Sequence, residues 1–456
     1  MKSEYMELPP GWEWTTMGEI ANVLGGGTPK TNDPSNYESG TIPWLTPADL
    51  SGYTAKTIGH GGRHITQKGL DTSSAKMMPA GAVLFTSRAP IGYVAIATNP
   101  VCTNQGFKSF VLKDGVFPDY VYWWLKGSKD LAESMASGTT FLELSGAKAK
   151  QLPIPLAPLD QQKRIVAEIE KQFSRLDEAV ANLKRVKANL KRYKAAVLKA
   201  AVEGRLVETE AELARREGRS IETGEQLLQR ILETRRSQWQ GKGKYKEPAA
   251  PDTAALPELP EGWVWASTEQ VCGSVRDGTH DTPAYVDGGV PLITSKNLTE
   301  RGIDFENIKF ISEQDHAEIS RRSGVENGDV LFAMIGTVGN PCEIKTDARF
   351  SIKNVGLLKR NPDHLNSAYL CSWLDSPLLN KWLEPRLKGT TQKFAPLGLL
   401  REMPVPYMAL AEQHRIVAEV DRRFSLLRET GAQVDANLQR AERLRQSILS
   451  RAFVGR

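Results

Sequence analysis

The chain is written twice. Leu8, Gly11, Trp12 and Trp14 in LPPGWEW return as Leu259, Gly262, Trp263 and Trp265 in LPEGWVW, and Arg164-Ile165-Val166-Ala167-Glu168 returns as Arg415-Ile416-Val417-Ala418-Glu419. Leu8 and Leu259, like Arg164 and Arg415, stand 251 positions apart. A constant offset held over so long a stretch requires two copies of one folding unit. The first copy runs from Leu8 to Arg205 and the second from Leu259 to Arg456, with residues 206–258 unduplicated.

The length of 456 residues gives a prior of about three domains, which the repeat refines to two globular units plus helical segments. Composition excludes the extremes: 40% hydrophobic and 25% charged residues describe an ordinary globular chain. No apolar run approaches the ~20 residues that span a bilayer. The start, MKSEYMELPP, has no apolar h-region, so a cytoplasmic location is expected. The four cysteines, Cys102, Cys272, Cys342 and Cys371, are scattered and read as reduced thiols. A net charge of +5 is compatible with a polyanionic partner and does not demonstrate one.

Within each copy the first ~145 residues carry short apolar runs broken by Gly, Pro, Asn and Asp, which predicts a strand-rich domain with some helices. Ala82-Val83-Leu84-Phe85 and Asp329-Val330-Leu331-Phe332 read as buried central strands. Tyr120, Trp124 and Leu125 return as Tyr369, Trp373 and Leu374, spaced for one face of a helix packed on the sheet. Core packing is favoured for these aromatics over base stacking. Leu152-Pro153-Ile154-Pro155 and Met403-Pro404-Val405-Pro406 force an extended approach to a following helix. In that helix Ile169, Leu176, Leu183, Leu190 and Val197 recur every seventh residue, and in the second copy so do Val420, Leu427, Val434, Ala441 and Ile448. A strict seven-residue period means a left-handed coiled coil. Some 43 residues at 1.5 Å each give a rod of roughly 65 Å. Parallel and antiparallel pairing both remain open, because a connector of about 50 residues can run back along the rod. Within the connector, residues 221–239 predict a helix, and GKGKYKEPAAPDTAALPELP reads as a linker.

Common catalytic constellations are missing from the sequence. There is no G-x-x-x-x-G-K-[ST] loop and no H-E-x-x-H among the six histidines. His60 and His64 read as a loop pair, and Gly25-Gly26-Gly27 as turn glycines. Glu343-Ile344-Lys345 downstream of Asp329 loosely matches a metal-dependent nuclease signature, a pattern that chance supplies often in a charged protein.

If two copies bind related targets, the shared framework is structural and the divergent loops discriminate. Gly27-Thr28 matches Gly278-Thr279, whereas Pro29-Lys30-Thr31 faces His280-Asp281-Thr282. Thr46 matches Thr294, while Pro47-Ala48-Asp49 becomes Ser295-Lys296-Asn297. Thr86-Ser87-Arg88 faces Ile335-Gly336-Thr337, and Asn104-Gln105-Gly106 is aligned with Asn354-Val355-Gly356, so that Gln105 has an apolar counterpart. Gly138-Thr139-Thr140 returns as Gly389-Thr390-Thr391, followed by Lys393. Such side chains suit base edges and phosphates. The candidate DNA-binding set is therefore Thr28, Lys30, Thr46, Ser87, Arg88, Asn104, Gln105, Thr139, Thr140, Thr279, His280, Thr294, Ser295, Lys296, Asn354, Thr390, Thr391 and Lys393, each of which could equally serve a turn or a cap.

The ordered and doubled segments LPPGW/LPEGW, GGGTP, IPWLTPADL, VLFTSRAPIG, NQGF, SGTTF/KGTTQKF and the Pro-x-Pro helix openings resemble the specificity subunit of type I restriction-modification enzymes over nearly the whole chain. The resemblance implies an α+β architecture. Two similar target-recognition domains, residues 1–158 and 259–409, are joined by long helices, residues 159–205 and 410–456, that form an antiparallel coiled coil; residues 206–258 make the connector. It implies a non-catalytic subunit that reads an asymmetric, bipartite double-stranded DNA site and recruits two modification subunits using S-adenosylmethionine and restriction subunits using ATP and Mg²⁺. No cofactor and no metal is expected in this chain. One departure from the family pattern is Gln161-Gln162, where the second copy carries Glu412-Gln413. Two rivals stand beside this reading: a self-contained endonuclease centred on Glu343, and a twin-domain scaffold that binds protein.

Overall fold

The computed structural model describes residues 7–138, 142–241, 243–299 and 302–453. The chain divides into two compact units, residues 1–185 with 434–456, and residues 186–433. This division cuts across the expected segments, because each unit keeps its own globular part together with one end of each long helix.

In the first unit a five-stranded sheet runs in the order Ala21–Gly25, Lys108–Leu112, Val83–Ser87, Ile91–Ala97, Thr57–Ile58. The Val83–Ser87 strand is buried along its whole length, as its unbroken apolar start requires. A three-stranded sheet sets Ile42–Leu45 between Arg63–Ile65 and Cys102–Thr103, the last pairing being parallel. The second unit repeats both sheets. Val330–Ala333 lies between Val355–Leu358 and Gly339–Glu343, with Val275–Asp277 at the edge, and Val290–Thr294 lies between Lys309–Ile311 and Ser351–Lys353.

The repeated aromatics belong to the core. Tyr120 and Tyr369 are fully buried and donate their hydroxyls to the carbonyls of Pro155 (2.5 Å) and Pro406 (2.7 Å). Trp124 and Trp373 donate their indole N–H groups to Pro153 and Pro404. Each Pro-x-Pro strand pairs antiparallel with the strand opened by the LPPGW or LPEGW motif, Glu13–Thr16 or Val264–Ser267. Prolines donate nothing to a sheet, so their carbonyls are left to hold the aromatic helix. That is why three distant motifs repeat together.

The long helices span Leu159–Val202 and Leu410–Ala452. All ten seven-spaced positions are buried or half-buried. In the first unit Ile169 shares a core cluster with Leu449 and Phe453, and Arg445 pairs with Asp177 while its guanidinium lies 4.8 Å from the Phe173 ring. In the second unit Val197 clusters with Ile416 and Val420. The start of one helix meets the end of the other in each unit, so the pairing is antiparallel.

The connector departs from expectation twice. Besides the expected helix, seen as Gly224–Ser237, a second one forms at Glu210–Glu217, closed at its start by a Thr209/Glu212 capping box. The reason is local: T-x-x-E supplies both caps whatever the modest apolar content. The Pro/Ala-rich stretch is also no free linker. Ser267 donates to the Ala249 carbonyl (2.8 Å), Trp382 to Asp252 (3.2 Å) and Trp265 to Pro257 (3.2 Å), and Arg386 pairs with Asp252 at 2.9 Å. Its backbone carbonyls meet indole and hydroxyl donors that composition alone does not reveal.

Candidate nucleic-acid interface

In each unit the edge strand of the larger sheet ends in a loop that crosses the loop leaving the parallel strand. Gly27 N–H bonds the Thr103 carbonyl at 2.9 Å, and Thr279 N–H bonds the Ile352 carbonyl at 3.1 Å. Thr103 and Ile352 are themselves equivalent, being paired with Leu45 and Ile293. The register of this crossing makes Gly26 the partner of Gly278, Thr28 of His280 and Gln105 of Asn354. The sequence alignment of Gln105 with Val355 is thereby corrected. A glutamine in one copy faces an asparagine in the other, and a residue inserted after Gln105 restores the strand register.

The glycines are corrected too. A Cβ at Gly26 would fall on the carbonyls of Thr103 and Asn104, and one at Gly278 on the carbonyl of Ile352. Neither has a positive φ. Close backbone approach, and not a turn, demands glycine there.

Each crossing is bridged by side chains. In the first unit the Thr28 hydroxyl bonds Oε1 of Gln105, and both residues are exposed. In the second unit the His280 ring stands between Asn354 Oδ1 (3.0 Å, from Nδ1) and Asp277 Oδ2 (2.9 Å, from Nε2). Asp277 is buried and also pairs with Arg322, while Lys353 donates to the His280 carbonyl at 3.1 Å and to Thr282. Where Asp277 ends its strand, the first unit has Gly25. Lys30 and Lys296 are exposed beside these crossings in sequence, and Thr279 is half-buried.

Other candidates divide between tip and framework. Thr46 and Thr294 each cap a short helical turn, their hydroxyls and N–H groups meeting Asp49 Oδ2 and Asn297 Oδ1. Burial works against ionisation of Asp49, but N–H bonds from Gly62 and Thr46 outweigh it and hold the carboxyl below its ordinary range. The Asp49/Asn297 difference therefore conserves a cap. Ser87 is fully buried and donates to the Gly106 carbonyl, which removes it from the candidate interface. Ser295 donates to the Asn354 carbonyl at 2.6 Å and accepts from Met334 N–H. Asn104 accepts from Gly106 N–H, and Arg88 pairs with Glu143 at 3.0 Å.

A second pair of loops also repeats. Ser137 and Glu143 exchange backbone hydrogen bonds of 3.1 and 3.0 Å, and Lys388 and Phe394 exchange bonds of 3.0 and 2.8 Å. The tip of the second holds exposed Thr390, Thr391 and Lys393, the last 4.0 Å from Glu384. Thr139 and Thr140 lie outside the described residues.

The nuclease reading loses its carboxylate. Asp329 is buried and accepts from Glu326 N–H, Arg360 N–H and Lys359 Nζ, while Glu343 pairs with Lys345 at 3.1 Å. Among the described residues no group of three or more His, Cys, Asp and Glu could hold a metal ion, and no helix is long and apolar enough to cross a membrane. The rings of His60 and His64 stack 6.5 Å apart. Sequence reasoning missed Asp277, Arg322 and Lys353; a buried aspartate is visible only once its strand is placed.

Residues 9–192 match the family model described as type I restriction modification DNA specificity domain. The specificity subunit of the type I restriction enzyme MjaIX from Methanocaldococcus jannaschii is 40% identical over 181 residues, 39% of this chain and 40% of that protein. That of EcoBI from Escherichia coli is 23% identical over 463 residues, 99% of this chain and 87% of that one. A crystal structure of the HsdS subunit from Thermoanaerobacter tengcongensis shares the fold at a TM-score of 0.59 and 19% identity, covering 100% of both chains. The repeated architecture and these matches agree: residues 9–192 match the DNA specificity domain of type I restriction-modification enzymes, and nearly the whole chain is similar to their specificity subunits.

Proposed function

We propose that each unit reads one half of an asymmetric, bipartite double-stranded DNA site. The observation that carries this reading is the doubled loop crossing. One backbone arrangement presents Thr28 and Gln105 in the first unit and His280, Asn354 and Lys353 in the second. Donor and acceptor sets that differ on the same frame fit different base edges. Lys30, Lys296, Lys393 and the exposed threonines supply phosphate contacts, which position without specifying. Recognition segments 1–158 and 259–409 carry the readers, and segments 159–205 and 410–456 the spacer between them. Two weak half-site contacts on one chain make the second intramolecular, so discrimination requires both halves at one separation.

Assembly is the second task. The chain holds two modification subunits and the restriction subunits of a cytoplasmic complex, and S-adenosylmethionine, ATP and Mg²⁺ serve those partners. Exchange of residues 20–145 for those of another family member, followed by methylome sequencing of a host carrying the complete system, tests the reading. One half of the modified sequence changes and the other stays. If both halves changed together, two independent readers could not exist.

A further inference from the structure

The exposed His280 ring meets an oxygen at each nitrogen, Asp277 Oδ2 at Nε2 and Asn354 Oδ1 at Nδ1. Asp277 is buried, and its other oxygen accepts from the Arg322 guanidinium, so this carboxylate is an acceptor on both sides. Nε2 therefore keeps its proton, and Nδ1 is the nitrogen that gains or loses one. A charged ring donates from Nδ1 and meets the Asn354 oxygen, the arrangement found here. A neutral ring accepts at Nδ1, which requires the amide to turn over and offer its N–H₂ group.

The amide is the part of Asn354 left free to turn. Its backbone is held in the left-handed region at φ 53°, with its N–H donating to the Thr279 carbonyl at 3.1 Å and its carbonyl accepting from the Ser295 hydroxyl at 2.6 Å. The charged groups around the ring are Asp277 from the edge strand, Arg322 from the helix Glu313–Ser323, Lys353 from the parallel strand and Asp281 from the same loop. The Lys353 ammonium is engaged by the His280 carbonyl and the Thr282 hydroxyl. The first unit is built differently at the equivalent place. Thr28 bonds the Gln105 amide oxygen there, and a hydroxyl rotates to donate or accept with equal ease. Neither residue of that bridge changes charge near neutral pH.

We propose that the proton on His280 decides which edge Asn354 turns to DNA, so that the second half-site is read through a titrating group and the first is not. The proposal deepens the DNA-reading role above and rests on it. With the ring charged, the N–H₂ group of Asn354 faces outward and suits a keto oxygen, O6 of guanine or O4 of thymine. With the ring neutral, the oxygen faces outward and suits the amino group of adenine or cytosine. The structure holds the first arrangement, so the base met by Asn354 is guanine or thymine. Such a base binds the charged form, and preference for it falls as pH rises through the range where histidine loses its charge, between about 5 and 8.

The test uses the full chain assembled with its modification subunits and duplexes carrying the site found by methylome sequencing. Competitor duplexes change one base pair at a time in one half, and selectivity is measured between about pH 5.5 and 8.5. Selectivity is a ratio between duplexes at one pH, so the effect of pH on phosphate contacts cancels. At one position of the second half, preference for the keto base is expected to fall about tenfold across this range, within the span of one base contact. Selectivity in the first half stays constant. His280→Gln removes the pH dependence, and Asn354→Asp, which tolerates the same left-handed backbone, turns the preference at that position toward adenine or cytosine. Circular dichroism of both variants confirms the fold. Second-half selectivity that is indifferent to pH in the wild type, or a pH dependence that survives in His280→Gln or appears equally in the first half, overturns the proposal and leaves the two readers standing. Absence of selectivity in both halves at every pH overturns the readers themselves.

Discussion

The two copies agree where the backbone bonds to itself and differ where side chains project. In both, a glycine presses on a carbonyl, one loop crosses another, and an indole and a phenol hold a Pro-x-Pro strand. Between the crossing loops the first unit places a Thr28–Gln105 bridge and the second a network in which His280 and Lys353 join the Asp277–Arg322 ion pair. Duplication has preserved the hydrogen-bonding skeleton, because an error there costs the whole domain. The tips have been left to diverge.

The largest test of that symmetry lies in the core. Trp373 is fully buried and Trp124 only partly so. Trp373→Ala is expected to cost the second unit about 3–5 kcal/mol, and Trp124→Ala clearly less in the first. Urea unfolding of each variant measures both. Equal losses would mean that the two aromatic helices are packed alike, against their burial.

Next come the glycines. Gly26→Ala and Gly278→Ala drive a methyl into backbone carbonyls that have no rotamer to yield, so each costs about 1–3 kcal/mol. Each also disturbs only its own half of the DNA site. Tolerance of alanine at either position, read by thermal melting together with half-site methylation, would separate copies that the crossing makes equivalent.

Below these stand the bridges. Gln105→Ala and His280→Ala leave both folds intact and relax discrimination in one half-site each, by about 1–3 kcal/mol per lost base contact. Competition binding with oligonucleotides altered in one half reads this directly. A change in both halves from either substitution contradicts separate readers.

How much of this was legible beforehand follows from range. The seven-residue stripe from Ile169 to Val197 and the Pro-x-Pro strands are local patterns, and they stand as read. The Gln105/Val355 pairing failed, because one inserted residue shifts a loop without disturbing the apolar strands on either side. Ser87 failed because a hydroxyl at the end of a strand looks the same in sequence whether its neighbours cover it or water does. The linker reading failed for a related reason: Asp252 meets Trp382 more than 50 residues away. No window along the chain contains both sides of such contacts.

The smallest effect is acid sensitivity at the helix starts, and it too separates the copies. N–H donors from Arg422 and then Arg423 hold the Glu419 carboxyl down at about 2, and its counterpart Glu168 is lowered through Gln172 and then Lys171. A carboxyl with a depressed folded value stabilises the fold above its unfolded value near 4.5, and the contribution disappears as pH falls through the folded value. Glu412 has the opposite sign. Burial raises its carboxyl above 4.5 despite the Glu210 N–H, the Trp263 indole and Arg415, so its contribution is present at low pH and lost as pH rises. Solvent screening keeps the Glu419 and Glu168 effects small. Glu419→Gln should therefore flatten the loss of stability between about pH 4.5 and 2. Glu412→Gln should instead flatten the change above pH 4.5, making the second copy resemble the first, where Gln161 already stands. Urea midpoints measured across pH distinguish the two variants. Identical pH profiles for both would break the assignment of opposite signs to two carboxyls on one helix.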